Sequence, residues 1–191
     1  MPTRAEILDT LAASQTQVLA FFQGLSLEDL ECPATASDVP GAAPWRAKDH
    51  LAHLVQNERN IQHLLRHALA GEEREVFLRL QYPQGMPLPG ILGDLSMLTA
   101  EEEERLGMAI AQINQAYVDA HHEDSMAMLA ADFLVARQET VNLLHQFTDD
   151  QLAALVPTVV GDTTTSDLFA GRAGHAAEHM SLIEQGFRQG V

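Results

Sequence analysis

The sequence is poor in cysteine: Cys32 is the single one in 191 residues. An internal disulfide framework and a paired-cysteine zinc site are therefore excluded. Positive charge is scarce too. Lys and Arg number 11 against 27 Asp and Glu, for a formal net charge of −16. A surface that acidic repels phosphate backbones and anionic head groups, which argues against nucleic acid and membrane surfaces as partners. No apolar run approaches the roughly 20 residues that span a bilayer. The opening Met1-Pro2-Thr3-Arg4-Ala5-Glu6 lacks the apolar core of a signal peptide. Apolar residues nevertheless make up 46% of the chain, enough for a packed core. The expectation is a cytoplasmic, acidic, globular protein whose residues 1–191 form one domain.

What is present is helical periodicity. Ile7, Leu8, Leu11, Val18, Leu19, Phe22 and Leu25 recur at three- and four-residue spacings behind a Thr3–Glu6 capping box, which predicts a first helix from about residue 4 to Gly24. Residues 31–44 carry three prolines and a glycine and read as a loop. A second helix should run from about Trp45 to Ala70 and stop at Gly71, with Leu51, Leu54, Val55, Ile61, Leu64, Leu65 and Leu69 inward and Lys48, Arg59 and Arg66 outward. Residues 72–81 suit a further helical stretch, and 83–93 a long irregular loop. Thr99 and Glu102 open a helix to about Ala120, with Leu106, Ile110, Ile113 and Tyr117 inward. The third main helix spans about Met126 to Phe147, with Phe133, Leu134, Val141 and Leu144 in the core. Thr148 and Gln151 cap a short turn before Pro157, residues 156–163 are irregular or briefly extended, and the fourth main helix runs from near Thr164–Asp167 to near Gly186. With no convincing set of strands, the expected fold is all-α: an up-down four-helix bundle with one or two extra helices between the second and third.

Histidine is the unusual component, at nine residues. His175 and His179 lie four apart on the fourth helix, one turn from each other on the face shared with Leu168, Leu182 and Ile183. Two inward imidazoles need partners: either one metal ion, or carbonyls and water. His63 and His67 have the same spacing on the second helix without other signs of a site. A third ligand could come from His50 or His53. His53 begins a polar stripe that continues through Asn57 and Asn60 beside the apolar face, the pattern of a wetted cavity. Three imidazoles from two helices leave coordination positions open, as in catalytic rather than structural zinc sites. The match of His175-x-x-Glu178-His179 to an inverted zinc-protease motif is set aside, because only 12 residues follow to supply its downstream acidic ligand. Arg172, one turn before His175, offers a guanidinium that suits a carboxylate or phosphate; a surface arginine near a helix end fits the same position.

Trp45-x7-His53-Leu54 followed by Asn57 resembles the corresponding segment of the DinB-like superfamily of metal-binding four-helix bundles. The stretch from Trp45 to Glu73 is similar to the N-terminal domain of mycothiol-dependent maleylpyruvate isomerase, and the closing His175-x3-His179 to the YfiT-like branch that includes bacillithiol transferases. The resemblance implies a divalent ion, zinc or nickel, held by His53, His175 and His179; a low-molecular-weight thiol as cosubstrate; and a homodimer. The isomerase branch has a glutamate where this chain has His175, and relatives often have Ser or Thr where it has Arg46. The expected function is a metal-dependent thiol S-transferase acting on a small electrophile, with Asn57, Asn60 and Arg172 positioning cofactor or substrate. The alternatives are a metal-dependent hydrolase and a non-catalytic small-molecule-binding stress protein. The sequence names no catalytic residue.

Overall fold

A computed structural model describes residues 1–73, 76, 99–158 and 161–189. Helix α1 (Arg4–Gly24) starts at the Thr3–Glu6 capping box and buries Ile7, Leu11, Val18 and Phe22. After a short α2 (Leu27–Glu31), strand β1 (Pro33–Thr35) pairs antiparallel with β2 (Trp45–Arg46). Helix α3 (Ala47–Ala70) then runs to Gly71, whose left-handed backbone (φ 68°) closes it. The remaining elements are α4 (Ala100–Ala120), α5 (Met126–Leu144), α6 (Asp149–Ala153), the antiparallel pair β3 (Leu155–Thr158) and β4 (Gly161–Thr164), and α7 (Thr165–Gln189). The fold is an all-α bundle. Among the described residues α4 is the extra helix between the second and third bundle helices; the expected helix at 72–81 and loop at 83–93 lie outside them.

Four helices close a ring in which α3 packs on α5, α5 on α1, α1 on α7 and α7 on α3, while α4 lies against α3. Helices α1 and α3 face each other across it. Helix α7 also crosses β1 so closely that a methyl group on Gly186 would sit 1.7 Å from the Ala34 carbonyl oxygen. A side chain there would push α7 off the hairpin.

The core is apolar at both ends and polar at its waist. One cluster gathers Val18, Phe22, Leu51, Val55, Phe133 and Ile183. The other gathers Ile7, Leu11, Leu65, Leu144, Phe147 and Phe169. Between them in sequence on every bundle helix stand polar residues: Ser14 on α1, Glu58 and Gln62 on α3, Arg137 and Thr140 on α5, and Arg172 on α7. Arg137 donates to Glu58 Oε1 at 2.7 Å and to the Leu11 carbonyl at 3.1 Å. Thr140 donates to Glu58 Oε2 at 2.6 Å, and Gln62 donates to the Ala136 carbonyl at 2.6 Å.

Several local expectations are corrected. Trp45 and Arg46 form a strand instead of the first turn of α3, because they pair with residues from β1 that lie ten or more positions earlier. Lys48 is buried and pairs with Glu31 at 2.6 Å, although its register placed it outward. Ile113 (52% exposed), Leu134 and Leu182 point outward, because the buried stripes are narrower than the apolar ones. Helix α5 ends at Leu144, three residues short of Phe147. No helix among the described residues is long and apolar enough to cross a membrane.

Candidate metal centre

The Trp45–Arg46 strand sets the entry of α3. Arg46 caps the helix, its backbone N–H donating to Asp49 Oδ2 at 2.8 Å, and its guanidinium binds Asp49, Glu31 and the His122 carbonyl. Half-buried His122 is thereby partnered by Arg46, with Asp49 Oδ1 3.8 Å from its Nδ1. This fixed start aims His50 and His53, one turn along α3, into the bundle, where both are buried. Helix α7, capped by Thr164 through the Asp167 N–H, brings His175 and His179 to meet them.

The result is a cluster of four imidazoles. Metal-ligating atoms of His53, His175 and His179 lie within 4.8 Å of one another. His53 Nε2 and His175 Nε2 stand 3.2 Å apart. Nitrogen ligands at about 2.1 Å from a tetrahedral ion are about 3.4 Å from each other, so small side-chain rotations would complete such a geometry. His50 adds a layer behind: its Nδ1 meets His179 Nδ1 at 2.8 Å and its Nε2 meets Thr35 Oγ1 at 3.1 Å. The ring of Trp45 covers His50 and His53 at centroid distances of 5.4 and 5.3 Å. Trp45 Nε1 is tied by a 2.8 Å bond to Gln115 Oε1 on α4, so the fifth long helix braces the site.

Hydrogen bonding sets which ring atoms carry lone pairs. Gln56 Oε1 accepts from His53 Nδ1 at 3.3 Å, which leaves His53 Nε2 unprotonated toward His175. If His179 Nδ1–H donates to His50 Nδ1, then His50 Nε2–H donates to Thr35 and His179 Nε2 is likewise free. Burial pushes His50 and His175 down to about 3 and His53 and His179 to about 4, with repulsion among the imidazoles reinforcing it for all but His179. All four are neutral at neutral pH. Neutral imidazole is the form that ligates zinc, nickel and copper, so the donor set fits a divalent transition metal.

Of the other residues singled out from sequence, Asn57 and Arg172 meet. Arg172 Nη1 donates to Asn57 Oδ1, and its Nε donates to the Leu168 carbonyl at 3.2 Å. Asn60 is exposed on α3 and makes no side-chain hydrogen bond among the described residues, because the polar stripe turns out to solvent after Asn57. Glu178 is exposed. His63 and His67 touch edge to face, and His67 pairs with Glu72 at 2.7 Å. Among the described residues they join no cluster of three metal-ligating side chains. Sequence reasoning missed Gln56, Gln115 and Thr35. Gln56 and Gln115 are polar helix residues with no local signal of burial, and Thr35 falls in the segment 31–44 that reads as a loop from sequence but ends β1 here.

Residues 1–64 match the family model of the DinB superfamily. Over these residues the chain is DinB-like. The matched third runs from α1 into α3 and so includes Trp45, His50 and His53 but neither histidine of α7. No curated protein and no solved structure matches the chain.

Proposed function

We propose that the protein is a metal-dependent thiol S-transferase whose divalent ion is held by His53, His175 and His179. The observation that carries this reading is the convergence of three neutral, buried or half-buried imidazoles from α3 and α7 within 4.8 Å. A divalent ion bound by three neutral ligands keeps its full charge and lowers the pKa of a thiol that joins it toward neutrality. The protein's own groups prepare for that. Gln56 holds His53 with its lone pair inward, and His50, backed by Thr35, would do the same for His179 when His179 Nδ1–H donates to it. Trp45 screens the α3 side from water. Such outer hydrogen bonds orient metal-binding imidazoles and raise their affinity. Transfer would form a bond from the thiol sulfur to an electrophilic carbon as the bond from that carbon to its leaving group breaks, the leaving group departing with the electron pair (chloride from a chloroarene) and the thiol proton passing to solvent.

The test is a conjugation assay with a small thiol and 1-chloro-2,4-dinitrobenzene, comparing zinc- or nickel-loaded protein with chelator-treated protein. The expected result is turnover that needs both thiol and metal and disappears in His175→Ala. Hydrolysis of an activated ester with metal but no thiol would replace this reading with a hydrolase. Neither activity, together with metal well below one equivalent, would leave a small-molecule-binding bundle.

A further inference from the structure

Among the described residues the polar waist of the bundle holds two guanidiniums, Arg137 and Arg172, against one carboxylate. Glu58 supplies one carboxylate, and both of its oxygens are engaged, by Arg137 and by Thr140. Arg172 is the second guanidinium of this layer. It bonds to an amide and a backbone carbonyl, and among the described residues no carboxylate comes within ion-pair reach of it. The other described arginines drawn in from solvent are all paired: Arg4 with Asp149 at 3.1 Å, Arg46 with Asp49 at 2.8 Å, Arg137 with Glu58 at 2.7 Å. In a chain with 27 acidic residues, carboxylates are not in short supply. The layer also has donors to spare, since Arg137 Nε and Ser14 Oγ are buried with no partner. Burial lowers Arg172 to about 10, which still leaves it cationic at neutral pH. Glu58 is the carboxylate whose charge reaches Arg172, but Arg172 shares it with Arg137, which repels it, so a largely buried cation here gains when a ligand supplies a charge of its own.

Its position relates that charge to the imidazoles. Arg172 precedes His175 by three residues on α7, about 4.5 Å along the helix axis. Its partner Asn57 follows His53 by four residues on α3, about 6 Å along that axis. The guanidinium–amide pair therefore forms a step directly next to the step made by His53 and His175. We infer that Arg172, held by Asn57, receives the carboxylate of the thiol cosubstrate, so that the cosubstrate is a small thiol with a carboxylate two or three carbons from its sulfur. This inference rests on the imidazole cluster being a metal site. Nη2 of Arg172, which makes no hydrogen bond to protein among the described residues and is not sealed from solvent, gives the carboxylate a charged edge to bind.

The experiment titrates nickel-loaded protein with 3-mercaptopropionate and with 2-mercaptoethanol, following the sulfur-to-nickel charge-transfer band. Wild type should bind the carboxylate thiol at least tenfold more tightly, the scale of a charge-assisted hydrogen bond. Arg172→Gln should bring the two thiols to within about threefold of each other while metal stoichiometry stays the same. Arg172→Lys, which keeps the charge if the glutamine variant does not fold, should retain part of the preference. A wild-type ratio near one, or a ratio that Arg172→Gln leaves intact, overturns the inference while the metal reading stands. If wild type takes up no nickel, the metal reading fails. The carboxylate arm is then read by melting metal-free protein in propionate against chloride at equal ionic strength. A rise in wild type that is absent in Arg172→Gln supports the carboxylate site, and no rise overturns it.

Discussion

Helix α3 carries two buried polar clusters, and they are built on opposite principles. At Glu58 every strong acceptor has found a donor within the protein: a guanidinium on one oxygen, a hydroxyl on the other. At His53 the protein has instead placed acceptors against one another, with two ring nitrogens 3.2 Å apart and a third imidazole beside them. In the first cluster, which is charged, both carboxylate oxygens are engaged by the protein's own donors. The second is neutral, with Gln56 behind His53 and His50 and Thr35 behind His179, and its ligating atoms converge. A cluster whose acceptors are met from neighbouring helices fixes how those helices pack. A cluster with convergent lone pairs is suited to a cation from outside, and the difference can be broken at either end.

The largest effect should come from the charged cluster. Glu58→Ala leaves Arg137 buried without its carboxylate and should cost about 3–5 kcal/mol in thermal or denaturant unfolding. It should spare metal uptake by the folded fraction. A loss of metal in folded Glu58→Ala protein would merge the two clusters into one system. Acid should act on the other cluster. The folded imidazoles titrate at about 3 to 4, below the ordinary value of 6.5, so between those limits the unfolded chain binds protons that the native state refuses. Stability of the metal-free protein should therefore be complete above about pH 6.5 and fall as the pH drops toward 4. Replacing His175 with Phe should flatten that slope. His50→Phe should be milder. It removes the hydrogen bond that orients His179 and should weaken metal affinity by about 10- to 100-fold without changing stoichiometry. Unchanged affinity would mean that His50 only fills space.

The helices were legible because their signals are local. The capping boxes at Thr3, Thr99 and Thr148 are all present, and so is the glycine stop at Gly71. The histidine spacing on α7 and the offset of His53 on α3 were legible for the same reason: helical period alone puts them on inward faces. The β1–β2 pair was not, since a two-residue strand is defined by its partner. Nor was the polar waist. Nothing local marks Glu58, Gln62 and Arg137 on their own helices, and only the packing of α3 on α5 makes them partners. His50 was legible as a metal ligand candidate, but its role behind His179 depends on a contact 129 residues away in sequence.

The central claim is that one divalent cation sits among three imidazoles contributed by α3 and α7. Elemental analysis of untagged protein tests it most directly. The expected result is about one equivalent of a transition metal in wild type, lost in each of His53→Ala, His175→Ala and His179→Ala and kept in His63→Ala and His67→Ala. Wild type with metal far below one equivalent after zinc or nickel loading, or equal loss from the His63 and His67 variants, would contradict it.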